Sequence, residues 1–121
     1  MKGKKPSIGF KYAWSGIYFV IKEERNFRIH LFITSLVVFT GIMLKVSRFE
    51  WLALLLVIGL VLVAETVNSA IERLIDYVKP DIHPMAKKIK DLAAGAVLIA
   101  AIISVFVGLI VFIPYVCELW Q

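Results

Sequence analysis

The chain has 121 residues, of which 60% are hydrophobic, and its mean hydropathy is +0.85. A water-soluble domain of this length cannot bury so much apolar surface, because small domains leave a large share of their surface exposed. The net charge of +5 does not indicate a nucleic-acid partner, because the basic residues are distributed around the apolar runs as in a membrane protein and do not form a base-stacking pattern. We therefore expect a single membrane domain over 1–121.

The positive charges are distributed unevenly around the apolar runs. They collect before the first run and between the second and third, at Lys2, Lys4, Lys5, Lys11, Lys22, Arg25, Arg28, Arg73, Lys79, Lys87, Lys88 and Lys90. Only Lys45 and Arg48 lie between the first and second runs. Because Lys and Arg favour the cytoplasmic side of a membrane, we expect a cytoplasmic N-terminus, an outer C-terminus and a location in the cell membrane.

The chain divides into one interfacial and three spanning segments. Residues 7–28 mix aromatic and aliphatic side chains with lysines, which favours an amphipathic helix lying in the membrane interface. The first span covers 29–46, near the lower length limit for crossing a bilayer. The second apolar run becomes long enough to span only if its helix continues through polar residues, over 51–78. Prolines then interrupt the chain, and the third span covers 91–116. The fold class is therefore all-α and integral to the membrane.

A stripe of polar side chains lies on one face of the second span. Glu65, Asn68, Glu72 and Asp76 are spaced so that the carboxylates point in nearly the same direction from the helix axis. Ionised carboxylates are costly to bury unless they are paired, neutralised or bound to metal. Ionisable groups within a membrane are rare and usually functional, so the stripe is the candidate site.

Purely structural interpretations of the same residues remain open. Asp76 with Arg73 or Lys79 is compatible with a solvated helix end, and Glu72 could pair with Lys90. Asn68 could hydrogen-bond a neighbouring helix, as membrane amides often do.

Further polar residues on the cytoplasmic side extend the candidate site. Glu24 or Glu23 could approach Glu72 and share Mg²⁺, which prefers carboxylate and phosphate oxygens. A solvated charge run over 23–28 is the favoured alternative. Lys90 suits either phosphate binding or a membrane anchor. Carboxylates for metal, a lysine and a deeper carboxylate fit phosphoryl transfer to a lipid hydroxyl, which mainly needs positioning and charge neutralisation. The chain has neither a Walker motif nor a kinase Gly-rich loop.

Three stretches closely resemble the prokaryotic diacylglycerol kinase and undecaprenol kinase family. They are Glu-Arg-Asn-Phe-Arg-Ile-His over 24–30, Ala-Glu-Thr-Val-Asn-Ser-Ala-Ile-Glu-Arg-Leu-Ile-Asp over 64–76, and Ala-Lys-Lys-Ile-Lys-Asp-Leu-Ala-Ala-Gly-Ala-Val-Leu over 86–98. The pattern E-x-x-N-S-A-I-E-x-x-x-D followed by K-D-x-x-x-x-A-V-L is highly specific, and the resemblance covers nearly the whole chain.

The resemblance implies a homotrimer whose active sites lie at the membrane–cytoplasm boundary and include residues of neighbouring subunits. It implies that Glu65 is the base for the lipid hydroxyl and that Asn68 helps to arrange the site. Glu24 and Glu72 correspond to the ligands of Mg²⁺ on ATP. The other nucleotide-side positions are Tyr12, Asp76, His83, Lys90 and Asp91.

The sequence favours undecaprenol over diacylglycerol as the lipid acceptor. Its 24–30 stretch is more similar to Gram-positive members, which prefer undecaprenol. It also has Lys5 and Ala13 where the diacylglycerol-specific Gram-negative members have arginine and serine. Two hypotheses of other classes remain: a small oligomeric transporter using Glu65 as a proton or cation site, and a non-catalytic scaffold. Neither explains why so many polar residues collect on one side of the membrane.

Overall fold

A computed structural model describes residues 9–121, and every regular element in that range is an α-helix. The helices are α1 (Gly9–Glu23), α2 (Arg25–Leu44), α3 (Arg48–Val78) and α4 (Pro84–Leu119). Their connections are short, so consecutive helices from α2 onward must run in opposite directions.

The three longer helices, α2, α3 and α4, are long and apolar enough to cross a membrane, as the sequence predicts. At 1.5 Å per residue, α2 is about 30 Å long, α3 about 46 Å and α4 about 54 Å. The hydrocarbon core of a bilayer is about 30 Å thick. Both α3 and α4 therefore extend beyond it, and the polar half of α3 continues the same helix that spans.

The boundary between α1 and α2 lies at a single residue inside the segment 7–28 that the sequence assigns to one interfacial helix. Glu24 has an extended backbone (φ −111°, ψ 109°), so residues 25–28 belong to the first turn of α2. Arg28 donates from Nη1 to the carbonyls of Ile21 and Lys22 at 2.9 and 2.8 Å. These carbonyls lie at the end of α1, where helical partners run out, so Arg28 stabilises the break. Residues 7 and 8 lie outside the described range.

The turn between α2 and α3 is tightly specified by local hydrogen bonds. Lys45 has a left-handed backbone (φ 55°), and its N–H donates to carbonyls of the last turn of α2. Ser47 then caps α3: its hydroxyl accepts from the Glu50 N–H at 3.2 Å, while Glu50 accepts from the Ser47 N–H at 2.8 Å. This capping box starts α3 at Arg48, three residues before the predicted span.

Helix α3 packs chiefly against α4. At the end of the bundle near the α2–α3 turn, Val46, Leu54 and Val111 form a buried cluster. The Tyr115 hydroxyl donates to Glu50 there, which joins α4 to the capping box. Helix α4 begins at Pro84, seven residues before the predicted 91, because proline is well tolerated in a first helical turn. Because α3 is one continuous helix, this packing also determines which of its faces is covered at the other end, where the polar stripe lies.

Candidate active site

Glu65 is the most deeply buried member of the acidic stripe. Only 6% of its side chain is exposed. Its Oε2 lies 3.9 Å from Nε2 of His30 on α2, whose side chain is 24% exposed. The carboxylates of Glu24 and Glu72 are near enough to repel a negative charge on Glu65. A protonated His30 would offset that repulsion.

Asn68 and Glu72 interact along α3 rather than between helices. The Asn68 amide donates to Glu72 Oε1 at 3.0 Å, one helical turn further on. Glu72 does not pair with Lys90, and the structure places no bond from Asn68 to a neighbouring helix among residues 9–121. The Asn68 side-chain oxygen is buried without a hydrogen-bond partner there. An acceptor left unsatisfied costs about 1–3 kcal/mol, which is a reason to expect a ligand donor at this point.

Glu24 is held against α3 instead of standing in a solvated charge run. Both Nε and Nη2 of Arg73 donate to the same oxygen, Oε1, at 3.1 and 2.8 Å. The guanidinium also lies over the Phe19 ring, 4.6 Å from its centroid. The nearby Ser69 hydroxyl and the Arg73 guanidinium together hold the pKa of the Glu24 carboxyl below its usual range. Glu24 is thus ionised at neutral pH, with Oε2 free of Arg73.

Three further predicted site residues at this end of the bundle, Asp76, Lys90 and Asp91, take part in two ion pairs. Lys90 donates to Asp76 at 2.5 Å and so links α4 to the end of α3. Asp76 pairs with neither Arg73 nor Lys79, the partners considered in the structural interpretation. Asp91 accepts from Lys87 at 2.7 Å, one turn earlier on α4. Both pairs are largely exposed, so they contribute little to stability and are open to exchange partners with a ligand.

Two predicted nucleotide-side residues are not bonded to this group. Tyr12 is exposed on α1 (38%). His83 precedes α4 as its N-cap, and its Nδ1 accepts from the Met85 N–H at 3.1 Å. Neither side chain forms a hydrogen bond or an ion pair with the acidic stripe within the described range.

The carboxylates of the site suit a magnesium ion that is also coordinated by a phosphate. They do not suit a magnesium site whose ligands all come from the protein. Residues 9–121 contain no group of three or more His, Cys, Asp or Glu side chains arranged to hold a metal ion. Mg²⁺ commonly keeps several waters and uses one or two carboxylates with substrate phosphates. Glu24 and Glu72, both near Glu65, supply that number.

Two cavities adjoin the candidate site. One, of about 350 Å³, lies between α1 and α3 and is lined by Arg73, Ser69 and Thr66 of α3 together with apolar residues of α1. The other, of about 460 Å³, is almost wholly apolar and lies between α2, α3 and α4, with His30 among its lining residues. Both open to the outside of the bundle.

Sequence reasoning did not identify His30, Ser69 or Arg73 as parts of the site. In the sequence, His30 stands out only as the end of the 24–30 stretch, and Arg73 only as a possible counter-ion of Asp76. Ser69 follows Asn68 directly; it is 6% exposed and lines the cavity between α1 and α3. A helical wheel of α3 alone gives no signal for that position, because the cavity also depends on α1.

Comparison with known proteins gives a consistent set of similarities. The model of the family "Prokaryotic diacylglycerol kinase" matches residues 11–112. An undecaprenol kinase of Bacillus subtilis (strain 168) is 39% identical over 105 residues, covering 87% of this chain and 85% of the relative.

Two diacylglycerol kinases are also similar to the chain. That of Synechocystis sp. is 39% identical over 108 residues, which cover 88% of this chain but only 62% of the relative. That of Escherichia coli (strain K12) is 32% identical over 94 residues, covering 78% of this chain and 77% of the relative. The matched range includes every predicted site residue from Tyr12 to Asp91.

Proposed function

The chain belongs to the prokaryotic diacylglycerol kinase family, and from that premise we propose that it transfers the γ-phosphoryl group of ATP to the hydroxyl of undecaprenol. The observation that carries the proposal is the burial of Glu65 in a membrane-spanning helix, beside carboxylates and cations that suit a phosphorylated ligand. Membership of a kinase family explains why these groups collect on one side of the membrane.

In the proposed reaction, Glu65 accepts the proton of the acceptor hydroxyl. The acceptor oxygen forms a bond to the γ-phosphorus while the bond from that phosphorus to the β,γ-bridging oxygen breaks, and ADP leaves. General-base assistance of this kind contributes about 10²–10⁴-fold to a rate. Asn68 is already bonded to Glu72, and it is proposed to hold the Glu72 carboxylate in a fixed position relative to Glu65.

The cytoplasmic ends of α3 and α4 are the proposed nucleotide side. Glu24 and Glu72 are proposed to hold Mg²⁺, which would neutralise phosphate charge. Lys90 supplies a positive charge for the phosphates, because its pair with Asp76 is exposed and exchangeable. Asp91, Asp76, His83 and Tyr12 complete the predicted nucleotide contacts.

The proposed assembly is a homotrimer with a cytoplasmic N-terminus and an outer C-terminus. The asymmetry of Lys and Arg supports the orientation. Helix α1 is mostly exposed, with Val20 its only buried residue, which fits a helix lying in the membrane interface with its apolar side chains in lipid.

Undecaprenol is preferred over diacylglycerol because the Bacillus relative, named an undecaprenol kinase, combines 39% identity with coverage of 87% of this chain and 85% of the relative. Diacylglycerol is the second candidate acceptor, since the other two relatives are named diacylglycerol kinases. The transporter hypothesis loses support, because proton or cation transport gives no role to the paired Lys90 and Asp76.

The purified protein in lipid, given Mg-ATP, should phosphorylate undecaprenol faster than diacylglycerol at equal mole fractions. Radiolabelled ATP and chromatographic separation of the lipid products measure both rates. Faster conversion of diacylglycerol would reverse the choice of acceptor, and the absence of any phosphorylated lipid would refute the kinase assignment.

A further inference from the structure

Arg73 is paired with Glu24, a residue to which the proposed reaction gives a different partner. It uses two donors on Glu24, at 3.1 and 2.8 Å, and Glu24 is a proposed ligand of Mg²⁺. A divalent cation that binds Glu24 would lie beside the guanidinium charge, and the two cations repel one another. A cation bound at Glu24 Oε2 would therefore weaken the hold of Arg73 on Oε1 and favour a new anionic partner for the guanidinium.

The surroundings of Arg73 offer a second partner. Its side chain is 48% exposed, and it lines the 350 Å³ cavity between α1 and α3. Ser69 lines the same cavity one turn earlier and is only 6% exposed; its hydroxyl lies near the Glu24 carboxyl but makes no well-formed hydrogen bond among the described residues. A forked cation beside a hydroxyl is suited to an anion with several oxygens, such as a phosphoryl group.

We propose that Arg73 and Ser69 bind the γ-phosphoryl group of the donor nucleotide, and that Arg73 exchanges Glu24 for phosphoryl oxygens when Mg²⁺ occupies Glu24. The proposal rests on the proposed function, because it takes the ligand to be a phosphoryl donor. Charge is conserved in the exchange: the Glu24–Arg73 pair is replaced by a Glu24–Mg²⁺ contact and an Arg73–phosphate contact.

This assignment adds a catalytic cation that the sequence does not single out. Lys90 lies on α4 and is paired with Asp76 at the end of α3, whereas Arg73 lies between Glu24 and the cavity near the buried stripe. An arginine can contact two phosphoryl oxygens at once, which a lysine cannot. Charge that develops on the transferred group would therefore be stabilised from the α3 side by Arg73.

The test compares nucleotide binding with and without the third phosphate. Wild type, Arg73→Gln and Lys79→Gln are titrated in detergent with the Mg²⁺ complexes of a non-hydrolysable ATP analogue and of ADP. Arg73→Gln should weaken the analogue at least about tenfold and leave ADP within about twofold, since a charge-assisted contact to the third phosphate is lost. Lys79→Gln removes the same charge from the end of the same helix, where Lys79 pairs loosely with Asp81, and should bind both nucleotides normally.

Turnover and cation binding complete the experiment. Arg73→Gln should lower the lipid phosphorylation rate about 100-fold or more, and Arg73→Lys should recover only part of it. Without nucleotide, Mn²⁺ should bind Arg73→Gln at least as tightly as wild type, because the competing guanidinium is gone.

Equal weakening of the analogue and ADP would show that Arg73 only holds Glu24, and would overturn the proposal. Wild-type binding of both nucleotides would overturn it equally. If Arg73→Gln does not fold, Arg73→Lys decides by the same ratio of analogue to ADP affinity. Selective loss of the analogue in a protein that phosphorylates no lipid would refute the proposed function while leaving the Arg73 site in place.

Discussion

At the scale of single residues, the burial of Glu65 is the feature that most needs a chemical reason. Its side chain is 6% exposed, with two carboxylates near enough to repel it and His30 at 3.9 Å as its partly buried partner. Removing a carboxylate from water costs several kcal/mol. Use of the buried carboxylate to accept the proton of a hydroxyl at the membrane surface would be a functional reason for that cost.

Glu65→Gln should lower lipid phosphorylation by about 100-fold or more, because the amide cannot accept the hydroxyl proton. Binding of the Mg²⁺ complex of an ATP analogue should stay near the wild-type value, since Glu65 is not a proposed nucleotide contact. Initial rates and a binding titration on the same preparation measure the two effects.

Glu118→Gln is the matched control, because Glu118 lies near the opposite end of α4 from Lys90 and has no role in the proposed site. It should retain full activity. A Glu65→Gln enzyme with most of its turnover would show that another group is the base.

Also at the residue scale, spacing predicts the stripe but not its pairings. The positions 65, 68, 72 and 76 share a helical face whatever the helix packs against. Lys90 with Asp76, and Arg73 with Glu24, depend on how α4 and the α1–α2 junction approach α3. The pairings considered for Asp76 and Glu72 were wrong for that reason, whereas Asn68 bonds to Glu72 on its own helix.

At the scale of helices, the length and type of each span follow from the apolar runs, whereas the ends depend on local hydrogen bonds. Ser47 and Glu50 start α3 earlier than the run of apolar residues does. Arg28 supports a break after α1 inside a segment that the sequence treats as continuous. The close approach of α2 to α3 also depends on a local feature, the glycine at position 41.

Gly41→Ala should destabilise the protein by about 1–3 kcal/mol, the usual effect of overpacking. A Cβ at position 41 would lie 2.8 Å from the Trp51 ring, which packs against the cluster of Val46, Leu54 and Val111. Thermal unfolding in detergent measures the effect.

Gly59→Ala is the control at the helix scale, because a Cβ there meets nothing within 4 Å. It should leave stability unchanged or raise it by up to about 1 kcal/mol, since alanine favours a helix over glycine. Equal stability of the two variants would contradict the close packing at Gly41.

At the scale of the whole molecule, three membrane-spanning helices put the two ends of the chain on opposite sides of the bilayer. The charge distribution predicts one of the two orientations, with the N-terminus cytoplasmic. In that predicted orientation the acidic stripe would lie on the side where ATP is available.

The orientation predicts opposite labelling of two engineered cysteines. Because Cys117 is the chain's one cysteine, a Cys117→Ser background is free of thiols. In intact cells, a membrane-impermeant maleimide should label Gln121→Cys in that background but should label Asp81→Cys only after the cells are opened. The reverse pattern would invert the topology and place the proposed nucleotide side outside.

The sequence by itself determined the membrane class, the number of spans, the family and the face of α3 that carries the stripe. The membrane class, the spans and the stripe depend on hydrophobic length, charge asymmetry and helical period, which are properties of one segment at a time. The family follows from the resemblance of three stretches of sequence. Only the tertiary structure decided that His30 lies beside Glu65, that Arg73 binds Glu24, and that Ser69 lines a cavity under α1. Those contacts join residues distant along the chain, and the packing of one helix on another determines which of the possible partners meet.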